Sequence, residues 1–211
     1  MSELYSADRL GPAVFPVPEV CLMPLSDANA RREVHQRTID MKTYARDDGL
    51  YDVEAHLIDR KPFDFPHAGR PDPLPAGEPL HDLWVRVTVD DQYTIRRIEA
   101  ASDATPFQLC KEAAGTLDVL VGERIAKGWS SLVKERLRGS ASCTHLREVL
   151  IPLATTLIQG VRSLKGPPSS VLDANAKPAA LNTCYAYAEH RDVVRMRWPT
   201  HFKPQESHTA E

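Results

Sequence analysis

The chain has little of what marks the commonest functional classes. Its ten glycines form neither a G-x-G-x-x-G fingerprint nor a phosphate-binding loop, so no nucleotide cofactor is expected. Twenty-six basic residues stand against 29 acidic ones with no basic run interleaved with aromatics, which excludes the usual electrostatic footprint of nucleic-acid or anionic-membrane binding. No stretch reaches the roughly 18 apolar residues of a membrane span. Residues Met1 to Leu10 lack the cationic and then apolar segments of a secretion signal, so a soluble, cytoplasmic protein is expected. Cysteine is scarce as well. Cys21, Cys110, Cys143 and Cys184 lie far apart, which in a reducing compartment suits metal binding, catalysis or plain burial better than a disulfide framework.

What is there is 211 residues, enough for one domain and an appendage at a prior of roughly 150 residues per domain, and 17 prolines that imply long, stiff loops. Residues 1–33 carry Pro12, Pro16, Pro18 and Pro24 among scattered apolar side chains and read as an extended arm. Val14, Phe15, Val17 and Val20 are expected to pack across the domain or onto a second subunit, giving a homo-oligomer. Residues 34–199 are expected to form one domain and 200–211 a flexible tail.

Alternation from His35 to Thr43, the turn Asp47-Asp48-Gly49, and alternation through Tyr51, Val53, Ala55 and Leu57 predict a first hairpin. Six prolines and two glycines in residues 61–80 predict a long loop. Leu83, Val85, Val87 and Val89, a turn near Asp90-Asp91-Gln92, and a return from Ile95 to Ala100 predict the second hairpin. The period then becomes helical. Thr105-Pro106 reads as a cap and first helical position, and Leu132, Val133 and Leu137 extend an apolar stripe to Gly139. Val149, Leu150, Leu153 and Leu157 share a face with Leu146 on a later helix that Pro152 is expected to kink and that stops at Gly166-Pro167-Pro168. Cys184–Tyr187 and Val193–Arg197 read as a terminal hairpin. Strands first, helices later, and hairpin connections predict an α+β fold: an antiparallel sheet of two to three hairpins with helices on one face.

Few constellations carry chemistry. Ser142 reads as a cap that puts Cys143 in the first turn of a helix, where free N–H groups favour the thiolate that attacks carbon or binds metal; a small buried Cys is the ordinary alternative. His145 follows two residues on. His81-Asp82, at the start of the strongest strand, reads as a ligand with its neighbour, a general base, or a solvated pair. Cys110 falls near the start of a helix at the sheet end where His81 lies. His35 and Arg37, with Arg46 beyond them, could receive a substrate carboxylate or form a solvated face. Gly128-Trp129-Ser130-Ser131-Leu132 lacks the second glycine of a nucleophile elbow.

His35-x-Arg37, Arg46-Asp47-Asp48-Gly49-Leu50, Gly77-x-Pro79-x-His81-Asp82, Cys110 and Cys143-Thr144-His145-Leu146 together resemble a bacterial family catalogued as domain of unknown function 2889, over about residues 30 to 165. Ser142 stands where that family's pattern has Gly. The order of hairpin, Cys, helix, Gly-ended helix, Cys and final helix is similar to the iron–sulfur cluster scaffold proteins. That resemblance implies His81, Cys110 and Cys143 as metal ligands, with Asp82 beside the first. It departs in having His81 in place of Cys and Cys-Thr-His in place of His-Cys, which favours a single zinc or iron ion over a thiolate-rich cluster.

The expectation is therefore a small metal-dependent enzyme, a lyase or hydrolase of bacterial catabolism acting on a small carbonyl or carboxylate substrate. Asp82 or His145 would move the proton, and His35, Arg37 and Arg46 would hold the substrate's anionic end. The alternatives are a non-catalytic carrier or scaffold for a metal or iron–sulfur centre and a metal-free interaction module.

Overall fold

The computed structural model describes residues 25–26, 28–67, 69–164, 172–173 and 175–205. The chain divides into Met1–Glu33 and Val34–Glu211. Within the first unit the described residues are exposed. Val14, Phe15, Val17, Val20 and Cys21 lie outside the described residues, as do Gly166, Pro167 and Pro168.

The second unit is α+β. Four antiparallel strands, β1 (Gln36–Ala45), β2 (Tyr51–Arg60), β3 (Pro79–Val89) and β4 (Ile95–Ala104), form a meander in chain order. The turn between β1 and β2 closes where Gly49 takes a positive φ of 82°, a conformation open to glycine at little steric cost. Asp90 closes the β3–β4 turn by accepting the backbone N–H groups of Gln92 and Thr94, each at 2.9 Å.

The period of two divides the sheet into faces. Val53, Ala55 and Leu57 of β2 and Leu83, Val85 and Val87 of β3 are buried on one face, under the helices. On the other face Trp84 and Arg86 of β3 are exposed. The inner face is covered by α1 (Trp129–Arg136), α2 (Thr144–Leu164) and a run of tight 3-10 turns over Gln108–Leu120.

Helix α2 buries Leu146, Val149, Leu150, Leu153, Leu157 and Val161. That is the apolar stripe of a helix lying on a sheet. It runs unbroken through Pro152. Gly160 brings it close to β1, where a Cβ would stand 2.8 Å from Thr43 Cβ. The buried indole of Trp129 ties α1 to α2 by donating Nε1–H to Leu150 O at 2.9 Å.

Three expectations are corrected. The helical region after Thr105 is two elements: Thr105 Oγ1 donates to Phe107 O rather than capping, the 3-10 turns begin at Gln108, and α1 follows only at Trp129. The anticipated terminal hairpin is a 3-10 turn, Tyr185–Tyr187, and a short helix, α3 (Asp192–Arg197). Val194 and Trp198, four apart, bury one face with Ala180, so the helical period prevails over strand propensity. Ser142 is extended and does not cap α2; Cys143, the residue immediately before Thr144, occupies that place. Beyond α3 the chain makes the turn Pro199–His201, and Lys203 N–H donates to Glu189 O at 3.0 Å. Residues 206–211 lie outside the described residues.

Candidate metal centre

Cross-strand register builds the site. Arg37 of β1 pairs with Asp59 of β2, and Asp59 pairs with His81 of β3, so three polar side chains form a row on the inner face. They continue the inward register of Leu57 and Leu83 past the end of the apolar core. An irregularity in the β2–β3 ladder between Asp59 and Arg60 lies beside them, as bulges do at sites where a side chain is re-aimed.

Asp59 is 1% exposed, and a carboxylate so buried needs partners. Arg37 supplies a two-pronged contact, Nε to Oδ1 and Nη2 to Oδ2, both 2.7 Å. His35 Nε2 lies 3.2 Å from Oδ1, and His81 Nδ1 lies 3.0 Å from Oδ2. Burial pushes the Asp59 carboxyl up, but the hydrogen bonds and charge of Arg37, with the fields of His81 and His35, outweigh it and hold the group below its ordinary range. Burial, joined by the neighbouring His145, pushes His81 below its ordinary value, against the pull of Asp59. The shift favours the neutral imidazole, the form that ligates a metal.

The N-terminus of α2 brings the third group. His145 stacks obliquely on His81 with ring centroids 3.9 Å apart, and its Nε2 lies 3.9 Å from Asp59 Oδ2. One donor atom from each of Asp59, His81 and His145 lies within 4.8 Å of the others, and among the described residues this is the group of metal-ligating side chains that meets that distance. Cys143 Sγ lies 3.7 Å from Nδ1 of His145, on the other side of that ring. Burial raises the Cys143 thiol, yet His145 and the backbone N–H groups of Leu146 and His145 outweigh it, so the thiol is held below its ordinary value.

His81, Cys110, Cys143 and His145 all line one cavity of about 620 Å³, between the 3-10 turns, β3 and the start of α2. The anticipated set of His81, Cys110 and Cys143 thus shares a cavity, but the tight donor group keeps His81 and replaces the two thiols by Asp59 and His145.

Three assignments change for geometric reasons. Asp82 follows His81 on a strand and so points to the opposite face, where it meets His56 Nε2 at 2.6 Å and cannot move a proton in the cavity. Arg37 and His35 are turned onto Asp59 and do not line the cavity, so they hold the carboxylate of the protein rather than that of a substrate. Arg46 pairs with Asp48 and Asp52 at the hairpin turn, nine residues along the strand from Arg37, or roughly 30 Å at 3.3 Å per residue. Sequence reasoning missed Asp59 altogether. Its signal was present: in Val53, Ala55, Leu57, Asp59, an acid takes the fourth place on an apolar face.

The family model described as "Protein of unknown function (DUF2889)" matches residues 35–159, which include every member of this cluster. No curated protein and no solved structure matches the chain, so the likeness to iron–sulfur scaffolds stands on the order of elements alone. No helix among the described residues is long and apolar enough to cross a membrane.

Proposed function

We propose that the chain, which belongs to the DUF2889 family of proteins of unknown function, is a small metal-dependent enzyme acting on a carbonyl or carboxylate substrate. The observation that carries this reading is the approach of Asp59, His81 and His145 within 4.8 Å beside a cavity. A tetrahedral ion with bonds of about 2.0–2.1 Å holds its ligand atoms about 3.3 Å apart. The distances from Asp59 Oδ2 to His81 Nδ1 and His145 Nε2, 3.0 and 3.9 Å, bracket that value.

Three protein ligands leave one position for substrate, and a divalent ion there would polarise a carbonyl oxygen. The remaining roles fall to the chain itself. Arg37 fixes the carboxylate plane of Asp59. Cys143 Sγ lies 3.7 Å from Nδ1 of His145, and as a thiolate it would accept Nδ1–H and select the tautomer whose Nε2 is free to ligate. The same thiol, at the cavity wall, is the group placed to hold or return a proton.

Metal analysis of freshly purified protein and zinc titration against a competing chelator test this reading. Asp59→Asn, His81→Ala and His145→Ala are each expected to weaken zinc by more than about a hundredfold, beyond the tenfold to hundredfold effect of an outer partner. His56→Ala, on the opposite face, is expected to leave zinc binding unchanged. Wild-type affinity in a His81→Ala/His145→Ala double variant overturns it.

One observation favours a second reading, in which Cys143 is a nucleophile: its thiol is held below the ordinary value by His145 and two backbone N–H groups. Iodoacetamide alkylation faster than that of a free thiol, and unaffected by chelator, would support it over the metal reading.

A further inference from the structure

The cavity beside the cluster has a hydrogen-bonding character of its own. Leu83, Pro106, Phe107, Leu109 and Ala113 give it an apolar wall. Among its described lining residues there is no Lys or Arg, and Glu112 is the one carboxylate. In the metal-free protein a phosphate ester or other polyanion would find no Lys or Arg there to compensate its charge.

Three of the six hydroxyls in its lining have their protons committed to the protein. Thr105 donates to Phe107 O at 2.9 Å, and Thr116 donates to Ala113 O at 2.6 Å. Thr116 Oγ1 also lies 2.7 Å from Ser142 Oγ. A hydroxyl has one proton, so Ser142 must be the donor in that pair. The Ser142–Thr116 pair therefore offers lone pairs, as does Glu112, and is matched by a ligand group that donates. At about 620 Å³ the cavity lies within the range of sites that enclose a molecule of ring size or larger.

We infer that the cavity binds an uncharged or singly charged hydroxy compound with an apolar body of at least ring size, its hydroxyl donating to the Ser142–Thr116 wall and its carbonyl or carboxylate end turned toward His81 and His145. The place of the carbonyl end rests on the metal reading above. The apolar body and the hydroxyl contact do not.

The full chain, metal-free and zinc-loaded, is titrated by calorimetry with 4-hydroxyacetophenone and with its methyl ether, 4-methoxyacetophenone. The hydroxy compound is expected to bind the metal-free protein about three- to tenfold more tightly than the ether, the value of one hydrogen bond. Ser142→Ala is expected to erase that difference, and Phe107→Ala to weaken both compounds. Ala113→Phe, which fills the cavity, is expected to abolish binding with zinc content and circular dichroism unchanged; should it not fold, Phe107→Ala carries the same test. Equal affinity for the two compounds, or undiminished binding in Phe107→Ala, overturns the inference. Zinc tightening both compounds supports the carbonyl end's place. A hydroxyl preference in the metal-free protein without any effect of zinc sustains the cavity assignment and counts against the metal reading instead.

Discussion

The same two strands carry an acid–imidazole cluster on each face, and the two differ in everything but composition. On the inner face Asp59 is 1% exposed and engages Arg37, His35 and His81, with His145 above it. On the outer face Asp82 and His56 are about one-fifth exposed and meet at 2.6 Å, and the His56 ring stacks on Trp84 at 3.6 Å. The shorter contact belongs to the outer pair. Proximity of a carboxylate to an imidazole is thus a weak sign of a site. What separates the clusters is burial, which commits the inner carboxylate to partners, and α2, which brings His145 and Cys143 to a cavity.

The strongest way to break this comparison is to remove a partner from each side. Arg37→Ala leaves the Asp59 carboxylate buried without its main counter-charge and is expected to cost about 2–4 kcal/mol, at the lower part of the range for buried pairs because Arg37 is itself more than one-third exposed. Urea unfolding measures it; a loss below about 1 kcal/mol would mean that Asp59 is not held as a buried charge.

Acid sharpens it next. His81 has a folded pKa below its ordinary 6.5, so the unfolded chain takes up protons first as pH falls. The contribution of the neutral ring is intact above pH 6.5 and is lost as pH drops through the folded value. Asp59, also depressed, acts in the same direction below 3.8. In metal-free protein the fall in stability between pH 6.5 and 5 is expected to become shallower in His81→Gln. An unchanged slope would contradict the burial of a neutral ring.

The smallest effect belongs to the outer face. His56→Ala removes a cross-strand stack and a partly solvated pair, and thermal unfolding is expected to show a loss below about 1 kcal/mol. A loss as large as that of Arg37→Ala would erase the distinction between the faces.

Much of the sheet was legible because its signals are local. Alternation in Tyr51–Leu57 and Leu83–Val89 and the Asp47-Asp48-Gly49 turn need no distant partner to be read, and the strands lie where those patterns put them. The same rule separates His81 from Asp82, since neighbours on a strand face opposite ways. The helical segments were less legible. Thr105-Pro106 has the form of a cap, but its hydroxyl turns to Phe107 O, and Val193–Arg197 has strand-like composition until Val194 and Trp198 find Ala180.

The candidate centre is divided in the same way. Local sequence determined that His81 lies near the start of β3 on the face of Leu83, that Cys143 and His145 flank the first residue of α2, and that Asp59 takes an inward place on β2. Only the tertiary structure decided that these belong together. The register of three strands aligns Arg37, Asp59 and His81, while the landing of α2 on the sheet, set by its apolar stripe and by Gly160 against Thr43, positions its first turn. Each of those alignments joins residues at least 22 apart in the chain, and pairings of that separation are chosen by the packing of the whole core rather than by any local preference.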